Sequence, residues 1–375
     1  MNPSTVFDAA ICVRLVTTFA HFLWQEAAIL ALVAAAAGLF RRASADARYA
    51  VFLAGLFILA ACPPATYLVL WQAQGSASPP PASVSLPPAG SGAAVTPLPL
   101  PPNAPVAVDR PSGGSASGST LDWRRYAPQV VLAYVLGAAA MLVRLVLGLR
   151  GGQRLRRSSQ PLEDATILTA LARQARAVGL RFTPAIALCR RVAVPTVVGV
   201  LRPMVLLPLA MASQLTPEQV EVLLAHELAH IRRCDHLVNL LQRVIEALLF
   251  FHPAVWLISR RIRIEREHCC DDTVLAVGGR RLAYAESLLR VAELGLGPRD
   301  ANWAAALGVA DRPSQLRGRI MRLLCGVDQE RIGLTRRGST TIGIVLAIAL
   351  AGGMWLRGVA AGNAASSQPG SVSTD

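Results

Sequence analysis

The sequence predicts a mainly α-helical integral membrane protein, with four transmembrane helices and one folded α+β domain. Hydrophobic residues make up 53% of its 375 residues and charged residues only 16%, whereas a soluble domain carries roughly 25% charged residues. Four apolar stretches are candidates to cross a bilayer, which needs about 17 to 25 residues, and the fourth is short. Only one other segment, 151–338, has the composition to form a globular core.

Four candidate spans are justified by apolar runs that end or begin in arginine. They are residues 15–40 and 49–70 within the segment 1–71, residues 127–149, and residues 341–356. Arginine-rich stretches at 41–48, 150–157 and 331–337 flank them, and the positive-inside rule places these stretches in the cytoplasm. The N-terminus is then external. In this arrangement Arg124 and Arg125 fall on the external side, which the positive-inside rule does not favour.

Two polar segments fall on the external side in this arrangement. Residues 72–122 are rich in Pro, Ser, Gly and Ala with almost no charge, so they predict a disordered external linker that cannot bury a core. Residues 357–375 predict a short disordered external tail. The folded domain at 151–338 is therefore expected in the cytoplasm.

The charged and thiol residues exclude several kinds of chemistry. The net charge is +14 and all 37 basic residues are arginine, so a Schiff base, a Walker lysine and a Ser-x-x-Lys nucleophile are excluded. Because the arginines lack interleaved aromatic residues, they favour lipid headgroups or acidic partners over direct nucleic-acid binding. Seven cysteines without C-x-x-C spacing indicate a reducing compartment and no disulfide framework.

Within the domain, periodicity and breakers predict a small sheet followed by helices. Residues 162–178 predict a helix that stops at Gly179, and apolar runs bounded by Gly and Pro predict strands at 185–189, 196–200 and 204–207. Thr216-Pro217-Glu218-Gln219 has the pattern of a capped helix start. The helices expected after it are residues 217–232, 235–277 with a break at His252-Pro253, 280–294 and 314–324.

The helix that starts after Thr216 carries the motif His226-Glu227-Leu228-Ala229-His230. Histidines four residues apart lie on one helical face and can bind one metal ion. A glutamate beside the first histidine can take a proton from a water molecule at that ion, which is the zinc-peptidase arrangement. We therefore expect His226 and His230 to bind one zinc ion per chain, with Glu227 as general base.

A catalytic zinc site needs a third protein ligand, and the acidic cluster at 265–272 is its predicted source. Glu267 and Asp271 are four residues apart, so Glu267 could bind zinc while Asp271 accepts an imidazole N–H. Chemistry alone leaves rivals open, namely Glu265, the pair His268 and Asp272, and the cysteines Cys269 and Cys270. Asp235 and His236 could either orient a ligand or cap a helix.

The apolar stretch 237–258 is not predicted to be a fifth span, because its polar residues are costly in lipid. A single crossing would also place His226 and Glu267 on opposite sides of the membrane. We expect two helices broken at Pro253 that lie in or against the inner interface, with His252 structural. Glu26 and His21 in the first span are expected to be buried between spans.

The stretches "LTPEQVEVLLAHELAHIRRCDHLVNLLQ", "FFHPAVWLISRRIRIEREHCCDD" and "VPTVVGVLRPMVLLP" resemble the BlaR/MecR-type antirepressor membrane metallopeptidases. The resemblance covers most of 1–356. It implies a gluzincin-like zinc peptidase domain, related in its core to the Ste24/HtpX peptidases. It also implies zinc ligands at His226, His230 and Glu267, a general base at Glu227, and a carboxylate at Asp271 that orients a ligand.

The resemblance further implies a regulatory endopeptidase that cleaves a cytoplasmic protein, such as a winged-helix repressor. Self-cleavage in the cytoplasmic domain is also expected. A separate sensor partner is expected because known members carry a C-terminal penicillin-binding sensor domain that this sequence lacks. The resemblance also implies the inner membrane of a bacterium as the location. Two alternatives stay open, namely a housekeeping peptidase for membrane proteins and a non-proteolytic transducer stabilised by zinc.

Overall fold

The computed structural model describes residues 9–75, 123–295 and 313–325. Three long helices, α1 (Ala9–Leu39), α2 (Ala45–Gly75) and α3 (Ala127–Arg157), contain the first three predicted spans. By length and composition, these three helices could each cross a membrane. The predicted fourth span at 341–356, the tail at 357–375 and the linker from 76 onward lie outside the described residues.

Helix α3 continues seven residues past Arg150, into the segment expected to begin the domain. The extension is held by packing, because Leu155 is buried against strand residues Ala187, Val198 and Leu206. Arg156 Nη1 also donates to the Arg202 carbonyl at 3.1 Å. The third membrane helix is therefore joined rigidly to the sheet.

A four-stranded sheet follows α3, with the order β1-β2-β4-β3. The strands are β1 (Gln160–Pro161), β2 (Ala185–Cys189), β3 (Thr196–Val198) and β4 (Met204–Pro208). Strands β2 and β4 are parallel, and the other two pairings are antiparallel. The strand predicted for 196–200 ends at Val198, because Gly199 has a φ of 99° that turns the chain.

Seven helices complete the described residues. They are α4 (Ala165–Val178), α5 (Leu209–Gln214), α6 (Pro217–Arg232), α7 (Asp235–Leu248), α8 (Pro253–Ala276), α9 (Arg281–Gly295) and α10 (Pro313–Cys325). Helix α6 begins with the predicted capping box between Thr216 and Gln219. Its buried Leu224 and Leu228 pack in one core with the sheet, α4, α9 and α10.

A second core joins α8 to the membrane helices. Val255, Ile258 and Ile262 of α8 are buried together with apolar side chains of α1 and α2. Near the start of α2, Arg48 donates to Glu265 Oε2 at 2.9 Å in a buried ion pair. Helix α8 is thus shared between the membrane helices and the globular core.

Candidate metal centre

The two histidines of α6 and one carboxylate of α8 converge on one point. His226 and His230 lie on the same face of α6, with ring centroids 4.8 Å apart. Glu267 Oε2 lies 3.4 Å from His226 Nε2 and 3.9 Å from His230 Nε2. One ligand atom from each of the three residues lies within 4.8 Å of the others, a grouping that could hold a metal ion.

The Nδ1 atom of His226 contacts a buried network that comes from α8, α9 and α10. Tyr284 Oη lies 2.9 Å from His226 Nδ1 and donates to Asp271 Oδ1 at 2.6 Å. Arg319 donates to both oxygens of Asp271, at 3.0 and 2.7 Å, and to Tyr284 Oη at 3.2 Å. Asp271 therefore reaches His226 mainly through the Tyr284 hydroxyl, since its own oxygen lies 3.6 Å from Nδ1.

Electrostatics fixes the charge of this network. Burial favours the neutral acid at Asp271, but the charge and hydrogen bonds of Arg319 hold the pKa of Asp271 below its ordinary value. Burial and the negative charge of Asp271 raise the pKa of Tyr284 well above its ordinary value. Tyr284 is therefore a neutral hydroxyl at neutral pH, able to donate to Asp271 while accepting from Arg319.

A smaller set of groups surrounds His230. Its Nδ1 atom lies 2.8 Å from Asp235 Oδ2, at the first residue of α7, and 3.2 Å from Cys270 Sγ. Burial raises the pKa of the Cys270 thiol to about 12, so this sulfur is a neutral thiol at neutral pH. The Asp235 carboxylate is the nearer of these two partners of His230.

The remaining residues of the predicted site take distinct positions. Glu227 lies half-buried on α6, next to His226. The rivals for the third ligand position are engaged elsewhere: Glu265 pairs with Arg48, and Asp272 pairs with Arg322 at 2.7 Å. His268 lies 3.5 Å from Glu265. Among the rivals, Cys270 alone contacts a histidine of the motif.

Two functional candidates were missed by sequence reasoning, namely Tyr284 and Arg319. They lie 58 and 93 residues from His226 along the chain, so no local period relates them to the motif. Asp235 was left open between orienting a ligand and capping a helix, and its contact with His230 favours the former. His236, the other residue left open, is half-buried.

The donor set of His226, His230 and Glu267 fits zinc. Both imidazoles have their Nδ1 atom engaged by Tyr284 or Asp235 and present Nε2 to Glu267, the arrangement that fixes the tautomer of a metal ligand. Arg319 also lies 3.4 Å from His226 Nε2 and 3.4 Å from Glu267 Oε2. A second grouping, His230, Asp235 and Cys270, could also hold an ion. It would use the Nδ1 edge of His230, which faces Asp235 and Cys270.

Comparison with known proteins places these residues in a family context. A family model described as BlaR1 peptidase M56 matches residues 17–323. The regulatory protein BlaR1 of Bacillus licheniformis is 33% identical over 98 residues, which are 26% of this chain and 16% of that protein. The methicillin resistance mecR1 proteins of Staphylococcus aureus and Staphylococcus epidermidis are 28% identical over 98 residues, 26% of this chain and 17% of theirs. The matched segment thus spans about a sixth of the length of these relatives.

Proposed function

Because the chain belongs to the BlaR1 peptidase M56 family, we propose that it is a membrane-embedded zinc endopeptidase that cleaves a cytoplasmic protein. The observation that carries the proposal is the convergence of His226, His230 and Glu267, from two helices, with ligand atoms within 4.8 Å of one another. Glu227 directly follows His226 in the sequence of α6. A purely structural zinc site has no need of such a residue.

In this mechanism His226, His230 and Glu267 would hold zinc, and Asp235 and Tyr284 keep the two imidazoles in the tautomer that leaves Nε2 free to bind it. Zinc bound there would supply a Lewis acid for the scissile carbonyl. The Glu227 carboxylate takes a proton from the attacking water and returns it to the leaving amine. Asp271 and Arg319 hold the Tyr284 hydroxyl in place.

The regulatory role rests on the relatives. They are a protein named as regulatory and proteins named for methicillin resistance. We therefore propose a regulatory role for this chain, with a transcriptional repressor as the protein that it cleaves. The arginine-rich helix ends support a cytoplasmic position for the site, where such a substrate would lie.

The proposal is tested by Glu227→Gln, with Glu221→Gln on the same helix as matched control. Losing the general base should slow cleavage by about 10²–10⁴-fold, while bound zinc, measured by elemental analysis, is unchanged. Substrates are identified by comparing newly formed protein N-termini in cells that carry each variant. Persistent cleavage in the Glu227→Gln cells, with zinc bound, would overturn the mechanism.

The same comparison separates the alternatives. Many unrelated substrates would indicate a housekeeping peptidase instead of a regulator. A Glu227→Gln protein that cleaves nothing yet still transmits its signal would indicate a transducer in which zinc only stabilises the fold. A single repressor, cut by the wild type and by the Glu221→Gln control alone, is the result that we expect.

A further inference from the structure

The hairpin formed by α7 and the first part of α8, residues 235–259, has an inverted polarity. Every exposed residue in this range is apolar, and they are Leu237, Leu241, Leu248, Phe251, Pro253 and Leu257. Every charged or polar side chain in it is buried or half-buried. A helix in a water-soluble domain shows the opposite arrangement, so water is not the expected solvent of this face.

Two buried polar side chains of α7, Gln242 and Glu246, are paired with groups of α8. Gln242 Nε2 donates to the Ser259 carbonyl at 3.1 Å. Glu246 accepts from Arg243 at 2.7 Å and from Arg263 at 3.1 Å, which joins α7 to α8. Ionisable residues in lipid are expected to face the protein interior and to pair in this way.

The tip of the hairpin packs between two of the candidate membrane helices. The Phe251 ring lies 5.4 Å from that of Phe19 in α1, and Tyr134 of α3 donates to the Leu248 carbonyl at 3.1 Å. A Cβ atom placed on Gly137 of α3 would lie 2.3 Å from the Phe250 ring, so only glycine fits at position 137 beside that ring. His252, which caps α8, lies against the buried carboxylate of Glu26 in α1.

These contacts lie far from the ends of α1 and α3 that join the domain. Phe19 is about 30 Å along α1 from Leu39, at 1.5 Å per residue. The part of α8 that follows the hairpin lies near the domain ends of the membrane helices, because Glu265 pairs with Arg48 near the start of α2. Helix α7 has 14 residues and is about 21 Å long, compared with a hydrocarbon core of about 30 Å.

We propose that residues 235–259 form a re-entrant hairpin, which enters the bilayer from the side of the domain, turns at Phe250–His252 and returns. Lipid acyl chains cover its exposed apolar face, which continues the apolar surface of α1–α3. The return through α8 brings Glu267 back to the side of His226, which a single crossing would prevent. The hairpin therefore lies within the bilayer and not along its surface.

The test is site-directed spin labelling of the full chain in lipid nanodiscs. Single cysteines are placed at Leu237, Leu241, Leu248 and Leu257, with the accessible cysteines Cys62, Cys234 and Cys325 replaced. Collision of each nitroxide with oxygen, which concentrates in lipid, is compared with collision with a water-soluble nickel complex. Leu136 of α3 and Leu201 of the β3–β4 loop, 61% and 90% exposed, are the lipid and water controls.

We expect the oxygen-to-nickel collision ratio to rise from 237 to 241 to 248, approach that of Leu136 at 248, and fall again at 257. A constant, shallow ratio along α7 would show a helix lying along the interface and would overturn the proposal. A ratio at all four positions equal to that of Leu201 would place the hairpin in water and would overturn it as well. The experiment reads solvent contact and not proteolysis, so its failure leaves the proposed function separately testable.

A measurement without substitutions guards against labelled variants that fail to fold. Hydroxyl radicals generated around the unmodified protein in nanodiscs should oxidise Phe182 of the domain, which is 52% exposed, and spare Phe251, which is 37% exposed. Leu282 and Leu257, 63% and 46% exposed, form a second matched pair. Oxidation of Phe251 and Leu257 in proportion to their exposure would contradict lipid cover.

Discussion

The two histidines of α6 are one helical turn apart, yet they are secured by different parts of the molecule. His226 is held by Tyr284, Asp271 and Arg319, from helices that pack on the globular core. His230 is held by Asp235, which is the first residue of the hairpin whose tip packs on α1 and α3. The candidate metal centre therefore lies between the globular core and the membrane-facing part of the chain.

The difference concerns both the number of groups and their charge. The His226 side has a carboxylate, a hydroxyl and a guanidinium that contact each other, and all three are fully buried or nearly so. The His230 side has one carboxylate and a neutral thiol. We infer that the His226 side determines whether the core folds, whereas the His230 side determines mainly how tightly metal is held.

The largest effect is expected from Asp271→Ala, which leaves the buried Arg319 without its bidentate partner. Removing one member of a buried ion pair costs about 3–5 kcal/mol, and bound zinc should fall as the Tyr284–His226 contact loosens. Thermal unfolding and zinc content of the purified protein measure both. The control is Asp272→Ala, whose partially exposed pair with Arg322 should contribute only about 0–1 kcal/mol. Equal losses for the two variants would mean that the network has no special role.

An intermediate effect is expected from Asp235→Ala, which removes the anionic partner of His230. Loss of such an outer carboxylate typically lowers metal affinity by about 10–100-fold, measured by competition with a chromogenic chelator. Asp235→Asn keeps an oxygen acceptor and should fall between the wild type and the alanine variant. If Asp235→Ala instead unfolded the protein as severely as Asp271→Ala, the inferred division between folding and metal affinity would be wrong.

The smallest effect is expected from Cys270→Ala, because a protonated thiol is a weak hydrogen-bonding group that behaves as a small apolar side chain. Zinc affinity should stay close to that of the wild type, as it should for Cys269→Ala, the neighbouring buried cysteine. Loss of zinc in the Cys270→Ala protein alone would show that its sulfur is a ligand. The grouping of His230, Asp235 and Cys270 would then be the metal site.

Local periodicity accounts for the part of the site that was predicted from the sequence. His226 and His230, like Glu267 and Asp271, are four residues apart on a helix, so each pair faces one way whatever the tertiary fold. Tyr284 and Arg319 reach the same centre only because α9 and α10 pack against α6 and α8. Such packing depends on long-range contacts, and no spacing in the sequence encodes it.

The hairpin shows the complementary difficulty. The sequence indicated two helices broken at Pro253, and the structure has α7 ending at Leu248 and α8 beginning at Pro253. Polar residues such as Gln242 and Glu246 argued against burial in lipid when considered singly. Their cost falls once they pair with Ser259 and Arg263 across the hairpin, and this pairing is visible only in three dimensions.

Helix α8 runs without interruption from Pro253 to Ala276, so one continuous helix links the contact between His252 and Glu26 to the predicted zinc ligand Glu267. Its 15-residue segment from Pro253 to Glu267 is about 21 Å long. If the tip is the pivot, a tilt of about 5° displaces Glu267 by about 2 Å over this length. That displacement is comparable to the length of a zinc–oxygen bond, about 2.0–2.2 Å. We therefore expect a displacement of α1 at Glu26 to change the distance of Glu267 from His226 and His230.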